Sequence, residues 1–67
     1  MNHITGRADS KYANLIVDSA LAIGCPMDKE TLTDLVDQTI SKKESVTAGS
    51  VKVNMHLEAN TMTIEWE

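Results

Sequence analysis

VKVNMHLEANTMTIEW, residues 51–66, is the stretch of sequence that decides the fold. Apolar and polar residues alternate in both of its halves, as they do in strands with one buried face. A turn around Asn60, a residue type that tolerates positive φ, folds the halves into an antiparallel hairpin with strands over residues 50–57 and 61–66. The expected cross-strand apolar pairs are Leu57–Met62, Met55–Ile64 and Val53–Trp66.

A first helix is predicted over residues 10–23. Asp9 or Ser10 supplies an N-cap oxygen, and no Gly or Pro interrupts the segment that follows. Gly24 suits the left-handed position after a helix, and Pro26 prevents the helix from resuming. The stop signal at this end is therefore strong.

A second helix is predicted over residues 28–42, with Asp28 as its N-cap and basic residues in its last turn. Because few residues separate the two helices, they should fold back on each other. The connector that follows holds a short extended piece at residues 45–47. The sequence thus predicts an α+β fold of order ααββ, with residues 1–8 as a flexible tail and residues 9–67 as one domain.

The predicted elements do not supply enough protein to cover themselves. Apolar residues of the first helix spread over roughly 240° of its circumference, and a two-stranded sheet is marginal alone. With one cysteine in 67 residues, no internal disulfide can compensate. We therefore expect completion by dimerisation or by a partner, through the first helix or a hairpin edge; the alternative is that the hairpin twists over the helices and alanines fill the remaining arc. The predicted partner or dimer interface comprises Tyr12, Leu15, Ile16, Leu21 and Trp66.

Charge and composition limit the classes of partner that the chain is expected to bind. The net charge is −4, and Tyr12 and Trp66 are the two aromatic residues. Nucleic-acid binding is disfavoured, because it needs clustered cations and stacking rings. No apolar run approaches the roughly 20 residues of a membrane span, and a lone cysteine without a signal segment indicates a cytoplasmic protein.

No residues form a recognisable catalytic, metal or cofactor site. His56, Glu58 and Thr63 fall near one another on the polar side of the hairpin, but no third ligand or concave site accompanies them. Cys25 precedes the second helix, whose N-terminus can activate a thiol; packing against the preceding turn is the favoured role. The sequence therefore predicts a protein that is not an enzyme and holds no cofactor.

Taken together, these features favour a small acidic protein-interaction module, non-catalytic and dimeric, that binds itself or another protein. Size, acidity and the lack of chemistry are typical of accessory binders, inhibitors or modulators of phage or plasmid type. The acidic residues of the second helix either form a solvated face or dock to a basic partner. The alternative is a dimeric transcriptional regulator that contacts DNA or a DNA-bound protein, although Asp34 and Asp37 replace the polar or basic residues of a recognition helix.

Overall fold

The computed structural model describes residues 1–67 and contains two helices and four strands. In chain order the elements are β1 (Asn2–Arg7), α1 (Ser10–Ala22), α2 (Lys29–Lys42), β2 (Val46–Ala48), β3 (Val51–His56) and β4 (Thr61–Trp66). The α+β class agrees with the sequence prediction. The ααββ order does not, because a strand precedes the helices and another follows them.

All four strands belong to one antiparallel sheet in the order β1-β4-β3-β2. The C-terminal hairpin thus forms the centre of the sheet, and each of its strands gains a neighbour. The extended piece expected at residues 45–47 is β2, which pairs with β3 from Val46–Val53 to Ala48–Val51.

Residues 1–8, which the sequence placed outside the domain as a tail, contain the edge strand β1. This correction rests on a ladder with β4 that runs from Asn2–Trp66 to Arg7–Thr61. Ile4 packs against the core, and Gly6 lets α1 approach closely: a Cβ at this position would lie 3.0 Å from Ile16 Cδ1. One large apolar residue in six, stabilised by backbone pairing, is enough to make a strand here.

The hairpin keeps its predicted faces but has a different register. Met55 lies opposite Met62 and Val53 opposite Ile64, two residues away from the expected pairing. Asn60 has φ 53 and directly precedes β4, so Thr61 already belongs to the strand. Because a shift of two residues preserves which side chains point to the core, alternation alone permits both registers.

The core lies between the two helices and one face of the sheet. Its fully buried side chains come from both helices and from β3 and β4: Leu32, Met62, Ile64, Val17, Val36, Val51, Val53 and Thr39. α1 packs on β1 and α2, whereas α2 also covers β3 and β2. The sheet is wide enough, through β1, to cover most of the apolar arc on α1.

The helix ends follow the capping rules that the sequence suggested. Asp9 caps α1 by accepting a hydrogen bond from the Lys11 backbone N–H at 3.0 Å, and Asp28 caps α2 through Thr31. Gly24 ends α1 with φ 99. α2 ends at Lys43 in the left-handed conformation, with φ 55, which is uncommon for a residue with a side chain.

The solvent-exposed surface of the single chain has an area of 4052 Å², against about 4,200 Å² for a globular monomer of this mass. Neither helix is both long enough and apolar enough to cross a membrane.

Candidate protein-docking site at the β1 edge

β1 presents unpaired backbone groups along its outer side. The Ala8 N–H donates to the Asn60 carbonyl at 2.9 Å, which continues the β1–β4 register and fixes the direction of its hydrogen bonds. In an antiparallel ladder the bonded residues alternate, so the even-numbered residues of β1 bond to β4. The peptide groups of His3, Thr5 and Arg7 therefore point away from the sheet.

The opposite edge of the sheet is better protected. β2 has three residues, and short edge strands are a common device against unwanted pairing. Beyond it, the Ser45 hydroxyl accepts a hydrogen bond from the Met55 backbone N–H at 3.0 Å. β1, with six residues and neither Pro nor Lys, is the open edge.

An apolar groove runs beside this edge, between β1 and α1. Its volume is about 160 Å³. The groove is lined by Ile4, Thr5, Gly6, Arg7, Tyr12, Leu15, Ile16 and Ser19.

α1 extends the groove with exposed apolar side chains. Tyr12, Leu15 and Ile23 are 38%, 67% and 56% exposed. Leu15 follows Tyr12 by three residues, and Ile23, the residue that caps the end of α1, follows Leu15 by eight. Helical spacing therefore places them on one stripe, together with Ser19. Three of the five exposed large apolar residues of the chain belong to this stripe, which makes it the main apolar part of the surface.

Two cationic residues flank Asp9 at the start of α1, where the chain leaves β1. Arg7 belongs to the lining, and the Lys11 ammonium lies 6.0 Å from the centroid of the neighbouring Tyr12 ring. Neither takes part in a salt bridge, because the one ion pair of the molecule joins Lys29 and Asp18 at 3.1 Å. No carboxylate lines the groove.

The solvent face of the sheet carries a connected row of polar side chains. Thr5 and Thr63 share a hydrogen bond of 2.8 Å between their hydroxyls, and Thr63 is also 3.0 Å from His56 Nε2. Asn54 donates to the Glu65 carboxylate on the same face. The Thr5–Thr63 hydrogen bond joins β1 to β4, whereas the other two contacts join β3 to β4, all on the side away from the helices.

The residues considered for chemistry are not gathered into a metal site. His56 contacts Thr63, but Glu58 lies in the loop after β3, and no three His, Cys, Asp or Glu side chains converge. Burial raises the pKa of the Cys25 thiol above its ordinary value. Its side chain belongs to the hydrophobic core, in agreement with the favoured packing role.

The predicted interface residues divide into two groups. Tyr12 and Leu15 lie exposed beside the groove, as the interface prediction requires. Ile16 and Trp66 are buried in the core, and Leu21 packs partly against it. Trp66 is covered because β4 is a central strand with β1 beside it, so it offers no surface to a partner.

Sequence reasoning missed the β1 part of the site. The signal it had was a polar-apolar alternation in residues 2–7, with Ile4 and Gly6 between His3, Thr5 and Arg7. Because glycine adds nothing to hydrophobic periodicity, Ile4 was the one apolar side chain that indicated a buried face in this segment.

Comparisons with known proteins add no identity. No protein-family model, curated protein or solved structure matches the chain. Any functional assignment therefore rests on the geometry of the site.

Proposed function

We propose that this chain is a small non-catalytic protein-interaction module that acts as an accessory binder and recognises another protein by strand addition at β1. The observation that carries the proposal is the open edge itself: the outer side of the six-residue strand β1 has no neighbouring strand and lies directly beside an apolar groove. An added strand uses main-chain hydrogen bonds for affinity and pockets for alternate side chains for selectivity. The β1 edge and the groove offer both elements together.

The structure leaves less uncovered apolar surface on α1 to support the dimerisation that the sequence predicted. The four-stranded sheet covers most of the apolar arc of α1 that the sequence left without a neighbour. Self-association at β1 stays a prediction, tested by light scattering over a range of protein concentrations. The DNA-contacting regulator also stays a prediction, and the exposed Asp34 and Asp37 on α2 count against it.

The experiment removes one backbone donor from the open edge. The chain can be assembled chemically from residues 1–24 and 25–67, joined at Gly24–Cys25, with an N-methyl group on the Thr5 nitrogen. Because this N–H points away from β4, the methyl group spares the β1–β4 ladder and obstructs an added strand. Thr5→Val is the matched control, since it keeps the N–H and loses the hydroxyl.

The readout is the binding of selected peptides. Random peptides of about nine residues, long enough to span β1 when extended, are displayed on phage and selected on the unmodified protein. The enriched pool should bind Thr5→Val, and N-methylation should weaken binding at least about tenfold, through loss of a hydrogen bond and a steric clash. Strand addition at β1 is contradicted if the selected peptides bind the N-methylated protein as tightly as the unmodified one, or if no peptides are enriched.

A further inference from the structure

We propose that β1 opens from β4 as a unit while the two helices and the strands β2, β3 and β4 stay folded. A strand can add to the outer side of β1 only while the inner side of β1 is paired with β4. The opening therefore regulates the edge at which binding takes place. This consequence rests on the proposed function, whereas the opening itself does not.

Few side-chain contacts hold β1 in place. None of its six residues is buried, and Ile4 is the one large apolar side chain that it directs toward the core. Gly6 shares this face and has no side chain to contribute, and Asn2 is exposed. β4 differs, since three of its six residues are buried: Met62, Ile64 and Trp66. Because segments with few buried apolar contacts open at the lowest free-energy cost, β1 opens before β4 does.

The rest of the domain keeps its own contacts when β1 leaves. The cap of α1 lies beyond β1, because Asp9 accepts a hydrogen bond from the Lys11 N–H. The Ala8 N–H still donates to the Asn60 carbonyl, so this bond marks the hinge. The three remaining strands stay paired, α1 stays packed on α2, and α2 still covers β2 and β3. Three strands packed on helices meet the usual requirement for an independently stable sheet.

The backbone amides of β4 distinguish an opening of β1 from unfolding of the whole sheet. The Ala8–Asn60 bond sets the ladder so that even-numbered residues of β4, among them Met62 and Ile64, donate to β1. The peptide groups of alternate residues point to opposite sides of a strand, so those of Thr63 and Glu65 donate to β3. Opening of β1 frees the first pair of amides and leaves the second pair bonded.

The test is native-state hydrogen exchange of the intact, isotope-labelled protein, followed by NMR without any peptide. After correction for the intrinsic rate of each amide, Met62 and Ile64 should exchange at least about tenfold faster than Thr63 and Glu65, with a weaker dependence on urea. Equal corrected rates for the two pairs overturn the opening. Because no peptide is present, this result is independent of the peptide selection that tests the proposed function.

A disulfide between β1 and β4 supplies the matched control. Thr5 and Thr63 lie directly opposite each other, and their hydroxyls are 2.8 Å apart. Opposed residues of a pair without mutual backbone hydrogen bonds have Cα atoms about 4.5 Å apart, within the range that a disulfide spans. The variant combines Thr5→Cys and Thr63→Cys with Cys25→Ala, which removes the competing thiol.

The oxidised and reduced forms of this variant have the same sequence, so a folding defect would affect both. Oxidation should slow exchange at Met62 and Ile64 until it matches that at Thr63 and Glu65, and reduction should restore the difference. If the ratio of the rates is the same in both forms, the faster exchange does not proceed through opening of β1 and the proposal is wrong.

Discussion

Replacing Ile4 by alanine tests whether the N-terminal segment is a strand or a tail. Ile4 is half-buried on β1 and packs against the core. A fully buried Ile→Ala substitution costs about 2–5 kcal/mol, so half that burial gives about 1–2.5 kcal/mol. The lower strand propensity of alanine adds up to about 1 kcal/mol. We expect a loss of about 2 kcal/mol, a large fraction of the roughly 3–5 kcal/mol available to a domain of this size.

The assay is urea denaturation followed by the fluorescence of Trp66, the one tryptophan of the chain. This side chain is buried beside β1, so its emission reports unfolding of the sheet that Ile4 completes. The midpoint should fall with little change in slope, since the folded and unfolded surfaces stay similar. In thermal unfolding, the same loss lowers the melting temperature by about 4–8 °C for each kcal/mol.

Leu57→Ala is the matched control, because it also shortens an aliphatic side chain but at a position that is 63% exposed. Its midpoint should stay close to that of the unmodified protein. Equal midpoints for Ile4→Ala and Leu57→Ala would refute the packing of β1 and restore the flexible tail that the sequence suggested.

Three further outcomes follow from the helix ends and the buried thiol. Hydrogen bonds from the Thr31 side chain and backbone lower the pKa of Asp28. The cap therefore contributes its full share of folding stability above the unfolded-state pKa of about 4. This stability is lost as the pH falls through the lower folded-state pKa. Asp28→Asn, which keeps an acceptor oxygen, should flatten the acid limb of a pH-dependent melting curve. Lys43→Gly should stabilise the protein by about 1 kcal/mol in urea denaturation, because glycine adopts the left-handed conformation without strain. Asn60→Gly should change stability less, since asparagine tolerates this conformation, and an equal gain at both positions would contradict the explanation. Cys25, buried and with a raised pKa, should react with a thiol reagent much more slowly in the folded protein than in urea; equal rates would contradict its burial.

The helices were predictable because their signals are local. The cap at Asp28 and the stop at Gly24 act within one turn of the helix, and the structure places both as expected. The hairpin faces were predictable for the same reason, since alternation is a property of neighbouring residues. Its register was not, because registers that differ by two residues bury the same side chains. The turn distinguishes them: the Asn60 N–H donates to the Leu57 carbonyl, and His56 pairs with Thr61.

β1 was missed because its stability does not come from its own sequence. Its ladder partner lies almost sixty residues away, and Gly6 contributes a close approach to α1 rather than buried area. Hydrophobic periodicity detects buried side chains and cannot detect backbone pairing with a distant strand. A segment with one isoleucine therefore resembles a tail until the strand beside it is known.

This omission also changes what the apolar surface of α1 implies about partners. Without β1, the helix has a broad uncovered face, and a dimer is the simplest way to bury it. With β1 in place, the remaining exposed apolar residues, Tyr12, Leu15 and Ile23, form a stripe beside an open strand edge. Its position next to the outward peptide groups of β1 is the feature on which the proposed recognition of an extended segment rests.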